Sequence, residues 1–146
     1  MNRHLFLFLI MLFASVNLAF GDTLSNEQAA RDLADKIMTK AASGDIVAAF
    51  ELMKPYAAVS ATEVDSAALK SKSEMEKFGA MYGEPIGYEF IDSKKSGESL
   101  LRLRYIEKCV KGPLAWVFYF YQTNRGWVMT TVLWNDEGFK GLFDNK

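Results

Sequence analysis

The chain of 146 residues contains one cysteine, one histidine and three prolines, and its 17 lysines and arginines against 18 aspartates and glutamates leave a formal net charge of −1. Each scarcity excludes something. A lone thiol, Cys109, forms no intramolecular disulfide, so packing has to hold the fold. Nor does one cysteine build a cysteine-rich zinc site. It reads as a small buried apolar side chain, the alternatives being a reactive thiol or an intermolecular bridge. Without surplus positive charge the chain lacks the electrostatic footprint of a nucleic-acid binder. Half of the residues are apolar, which argues against disorder and suits one core.

A long hydrophobic run occurs once, at the start. Arg3 and His4 precede an apolar stretch from Leu5 to Phe13, a softer one to Phe20, and small residues at Ala19 and Gly21 before Asp22. This pattern predicts a cleaved secretion signal over residues 1–21. Ser15 and Asn17 interrupt the run, so it falls short of the solid apolar segment an anchoring helix needs. Cleavage leaves a single α+β domain over 22–146, with no membrane span and no histidine. The commonest neutral-pH base and metal ligand is then missing, which excludes Ser-His-Asp and Cys-His mechanisms and leaves no metal or cofactor site indicated. No Asn-X-Ser/Thr sequon is present, so the expected location is the bacterial periplasm or the secreted fraction.

Aromatic residues divide what remains. Beyond residue 21 only Phe50, Tyr56 and Phe78 precede position 82, and the other 13 lie at or after it. Aromatics favour strands, so helices come first and a sheet second. Ser25 and Gln28 read as a capping box opening a helix whose inward face is Ala30, Leu33, Ala34, Ile37, Met38 and Ala41. Ser43-Gly44 ends it. Asp45 caps a short second helix with Val47, Phe50 and Met53 inward, stopped by Pro55. Ser60 and Glu63 form another capping box for a third helix through Val64, Ala68, Met75, Phe78 and Met81, closed by Gly83 and Pro85.

Four strands follow. Ile86 to Asp92 places Ile86, Tyr88 and Phe90 on one face, and Ser93 to Gly97 turns the chain. Ser99 to Val110 places Leu101, Leu103, Tyr105, Glu107 and Cys109 inward and the basic row Arg102, Arg104 and Lys108 outward in solvent. A four-residue loop, Lys111 to Leu114, sets Trp116 opposite Cys109 and Phe118 opposite Glu107. The last hairpin, turning at Thr123 to Gly126, pairs Phe120 with Met129, Phe118 with Thr131 and Trp116 with Leu133. Its other face, with Tyr119, Tyr121 and Trp134, is too apolar to be wet. The C-terminal segment carrying Phe139, Leu142 and Phe143 covers part of it, or a second copy does in a dimer.

Three helices before a curved antiparallel meander, with the string Ala115 to Tyr121, the turn Asn124-Arg125-Gly126-Trp127 and the late run Phe139 to Phe143, resemble small exported members of the nuclear transport factor 2-like superfamily over residues 25–143. The resemblance implies a cystatin-like α+β cone: helices packed on a curved four-stranded antiparallel sheet, with a pocket between them. It also implies that the outer sheet face forms a dimer.

On that fold the expected pocket lining is Phe50, Phe78, Tyr88, Phe90, Tyr105, Trp116, Phe118 and Met129, suited to a small apolar or amphipathic ligand. Three functions compete. The leading one is a non-catalytic exported domain that binds a small ligand or a protein. The second is an isomerase-like or hydrolase-like enzyme in which desolvated Glu107 is the general base and Tyr105 the hydrogen-bond donor. The third is an inhibitor or other partner-binding protein of the cell envelope. The basic row is either an anion site or a solvated strand face. A His-free, disulfide-free composition favours binding over catalysis.

Overall fold

Local capping sets where each helix begins in the computed structural model, which describes residues 21–143; the predicted secretion signal falls almost wholly outside them. The first helix, α1 (Glu27–Ala42), starts one residue later than expected. Asn26, in extended conformation, is its cap and accepts a hydrogen bond from the Ala29 amide at 2.8 Å. Leu24 explains the delay. Its amide and carbonyl pair with those of Trp127, which holds the chain extended up to Ser25. Gln28, freed from the expected box, donates to Asp32 instead. The buried face is the predicted set, Ala30, Leu33, Ala34, Ile37, Met38 and Ala41.

In α2 (Ile46–Met53) Asp45 caps the Ala48 amide, and Ile46, Ala49, Phe50 and Met53 are buried. Val47 instead faces outward, because the helix begins directly after its cap and Ile46 takes the first inward position. A 3-10 turn through Pro55 (Lys54–Tyr56) ends it. The long α3 (Ala61–Tyr82) opens with the full reciprocal capping box of Ser60 and Glu63. It buries Val64, Ala68 and Ser71, while Met75 and Phe78 are half-buried and Met81 is exposed. Gly83 ends it with φ +79°, a left-handed position that glycine adopts without strain.

The sheet is an antiparallel meander in the order β1 (Pro85–Ser96), β2 (Leu100–Cys109), β3 (Gly112–Thr123) and β4 (Gly126–Asn135). The helices and sheet share one core, centred on Tyr105, Trp116, Phe118 and Phe120, each fully buried. Residues expected to form the Ser93–Gly97 turn extend β1 as far as Ser96, which pairs with Leu100.

Between β2 and β3 the turn is two residues, not four. Tyr105 lies opposite Trp116 and Leu103 opposite Phe118, so the expected register is off by four positions. The error is even, and a strand's side chains alternate with period two, so every residue keeps its predicted face. Three bulges do change faces. In β1 the extra residues are Ile86, which is exposed and not inward, and Ile91. The second bulge turns Asp92 to the outer face opposite Arg104. In β4 the register shifts between Tyr119 and Phe120, making Thr130 the extra residue. Phe120 pairs with Met129 as predicted, but Phe118 then meets Val132 and Trp116 meets Trp134. A 3-10 turn (Gly138–Leu142) ends the described chain against β3.

Candidate functional site

Glu107 is the buried carboxylate of the inner sheet face, with 2 % of its surface exposed. It lies near the end of β2, between Tyr88 on β1 and Leu114 on β3. Trp116 donates its indole Nε1–H to one carboxylate oxygen at 2.8 Å. Burial pushes the Glu107 carboxyl up to about 7, only partly opposed by the Trp116 hydrogen bond.

Beside it is a cavity of about 230 Å³. Its wall is assembled from all three helices and three strands: Ala41 at the end of α1, Ile46 at the start of α2, Met75 and Phe78 on α3, Pro85 on β1, and Leu114 on β3. Glu107 and Cys109 contribute from β2, and Lys72 and Glu76 on α3 also line it. The wall is mainly apolar, with Glu107 as its buried ionisable group. Cys109 is half-buried rather than enclosed, and burial together with the nearby Glu107 charge raises its thiol.

Tyr105 does not join Glu107. Its phenol donates to Asp35 Oδ1 on α1 at 2.8 Å, and the same oxygen accepts from Arg31 Nε at 3.0 Å. Arg31 in turn lies 3.2 Å from the centroid of the Phe90 ring. Burial and the Asp35 hydrogen bond raise the Tyr105 phenol well above its ordinary range. The two residues share a strand face but serve different partners, so the expected base and donor pair is split.

Most of the expected pocket lining is tightly packed. Tyr105, Trp116, Phe118, Phe50 and Met129 are core residues with at most 4 % of their surface exposed. Rings fill the space between helices and sheet. Tyr105 meets Phe90 and Phe118 edge-on at 5.3 and 5.6 Å, and Trp116 stacks between Phe118 and Trp134 at 6.0 and 5.9 Å. Tyr88 and Phe90 are half-buried at the β1 side. Among the expected lining residues Phe78 borders the Glu107 cavity, and Phe50 and Met129 border a smaller one of about 90 Å³ beneath α3. The Glu107 cavity lies where α1 gives way to α2, beside the end of β2, and a separate groove of about 560 Å³ between α3 and β4 is bordered by Phe50, Phe78 and Trp134. Inward direction marks these rings correctly, but Tyr105, Trp116 and Phe118 pack against one another and border none of these cavities.

Trp134 leaves the outer face altogether. Because of the Thr130 bulge it points inward, where it donates to Ser71 Oγ at 3.1 Å and meets Phe78 edge-on at 5.5 Å. The outer face keeps Tyr119 and Tyr121, 38 % and 45 % exposed, and gains Leu133. The basic row is not uniformly solvated. Arg104 is buried, paired through two nitrogens with both oxygens of Asp92, and donates to the Gly141 carbonyl. The C-terminal turn thus covers this part of the face, as expected, although Phe143 is exposed.

Sequence reasoning identified Glu107 and missed its surroundings. Ile46, Lys72, Pro85 and Leu114 carry no motif and approach one another only in the folded chain. No helix among the described residues is long and apolar enough to cross a membrane.

No family model and no curated protein matches the sequence. Among solved structures, a Campylobacter jejuni protein with the provisional name NTF2-like transpeptidase is similar to it, with a TM-score of 0.50 and 14 % sequence identity over 70 % of this chain and 97 % of that one. The chain therefore has the nuclear transport factor 2-like α+β fold that the element order implied.

Proposed function

From this fold and the Glu107 cavity, we propose that the protein is a non-catalytic exported domain that binds a small, largely apolar molecule carrying one hydrogen-bonding group. The supporting observation is the environment of one side chain. Glu107 is buried at an apolar cavity of about 230 Å³, with one oxygen engaged by Trp116 and no other hydrogen bond to the described residues. A few placed polar groups in an apolar wall are how small-molecule sites orient their ligands. Near neutral pH this carboxyl either donates or accepts, so it suits a ligand amide, hydroxyl or amine.

An enzyme using Glu107 as base finds a suitable pKa but not its partner, because Asp35 holds the Tyr105 phenol. Cys109 is poorly suited as a nucleophile for a reaction of the kind in that neighbour's name, because its thiol is raised in pKa rather than lowered.

Native mass spectrometry of the protein isolated from its host, before and after mild denaturation, tests the proposal. It predicts a co-purified molecule of a few hundred daltons that is lost in Glu107→Leu and in Met75→Trp, which fills the cavity. Retention of that molecule by both variants, provided both are folded, would place binding elsewhere.

A further inference from the structure

The outer sheet face carries a second set of residues, remote from the Glu107 cavity. Lys94, Arg102 and Tyr119 form one cross-strand row, Lys94 opposite Arg102 and Arg102 opposite Tyr119. With Ser96 and Leu100 they line a groove of about 310 Å³ whose lining contains no carboxylate. Like charges directly opposite across strands destabilise a sheet, and one shared acid, Asp92, offsets this pair only in part. Both oxygens of Asp92 are taken by Arg104, leaving Arg102 Nη2 at 3.7 Å, beyond hydrogen-bond distance. Glu27 pairs with Lys95, and Lys94 has no ion pair among the described residues.

Arg102 shows the deficit most directly. Its Nε–H is buried and has no hydrogen-bond partner, a state that native proteins usually avoid. The Ile91 bulge creates the arrangement by turning Asp92 to Arg104 and Lys94 to Arg102. Leu100 and Tyr119, 49 % and 38 % exposed, give the groove an apolar flank.

We propose that this groove binds the phosphate group of an amphipathic phosphate ester. Two cations on adjacent strands, which share only the Asp92 carboxylate already bound by Arg104, match a group with up to two negative charges and oxygens in several directions. Rotation of the Arg102 guanidinium presents Nε and Nη2 together as the fork that phosphate oxygens accept. Lys94 supplies the second charge, and the ester's apolar part rests on Leu100 and Tyr119. A twofold dimer through this same face would bring two such cationic rows together, which favours an anionic occupant over a second copy. The site does not depend on the Glu107 reading, and either can fail alone.

Nuclear magnetic resonance of the Arg102 Nε–H group tests this at constant ionic strength. Titration with butyl phosphate should give a saturable shift, and inorganic phosphate a weaker one. Lys94→Ala should weaken binding roughly tenfold or more, Arg102→Gln should remove it, and Lys108→Ala, at the far end of the basic row, should leave it unchanged. Co-sedimentation with phosphatidylglycerol vesicles but not phosphatidylcholine ones, lost in both groove variants, would identify a lipid headgroup as the source. Butyl phosphate binding without vesicle binding would identify a free phosphate ester. A shift that chloride reproduces, binding retained by folded Arg102→Gln, or a dimer in sedimentation velocity that excludes butyl phosphate would overturn the proposal.

Discussion

Replacing Glu107 by Gln removes a charge while keeping the volume and an oxygen for the Trp116 indole N–H. Burial raises the Glu107 carboxyl from 4.5 to about 7. An acid raised in this way holds its proton in the folded chain after the unfolded chain has released it. The folded state therefore binds more protons between those two values, and stability falls as pH rises through that interval. At about 1.4 kcal/mol per pH unit, roughly 3 kcal/mol of stability is lost between pH 4.5 and 8.5. The amide of the Glu107→Gln variant carries no such proton. Urea unfolding of both proteins across this range, compared as a difference at each pH, cancels the carboxylates they share. The two should be close at pH 4.5, and the Gln variant more stable by roughly 3 kcal/mol at pH 8.5. A difference that stays flat within about 1 kcal/mol, or that changes with the opposite sign, would refute the assignment of Glu107 as a buried, unpaired acid.

Other perturbations test the local architecture. Asn26→Ala should cost about 1 kcal/mol in thermal or urea unfolding and Ser25→Ala close to nothing, since Asn26 and not Ser25 caps α1. Gly126 has φ +142°, and a Cβ there would lie 2.6 Å from the Leu24 carbonyl oxygen. Gly126→Ala should therefore destabilise by about 1–3 kcal/mol, with amide exchange at Leu24 and Trp127 accelerating first. Deleting Thr130, the extra residue of the β4 bulge, should leave Val132 and Trp134 inward, opposite Phe118 and Trp116, because the flanking pairs then alternate without a break. The near-ultraviolet circular dichroism of the Trp116–Trp134 stack should therefore persist in the folded variant, and its loss would refute this register. Arg104→Gln should release the lowered Asp92 carboxyl toward its ordinary range, a shift measurable by carbon-detected titration. The stability that the wild-type pair adds is present at neutral pH and is lost as pH falls through the depressed Asp92 value.

Local chemistry was legible wherever a few neighbouring residues decide the outcome. The Ser60–Glu63 box, the α1 inward face and the inward set Leu101, Leu103, Tyr105 and Glu107 all follow from side-chain type and spacing, and the structure contains them. Glu107 was found for the same reason, as a carboxylate on an otherwise apolar strand face. Capping at Asn26 was not legible, because a bridge to Trp127, a hundred residues away, decides it.

Periodicity and capping act over one or two helical turns or alternate strand residues, and that range was enough to set the α+β order, the helix faces and the identity of the buried acid. What those residues touch was settled only by tertiary packing. The three bulges each add one residue to a strand, and one residue reverses a face. They bring Trp134 into the core, Asp92 to Arg104 and Lys94 to Arg102. The inward rings close-pack into a core, so the cavity opens at the α1–α2 junction beside Glu107 instead of among them. Register and residual volume depend on the fit of whole layers, and no short segment of this chain carries that information.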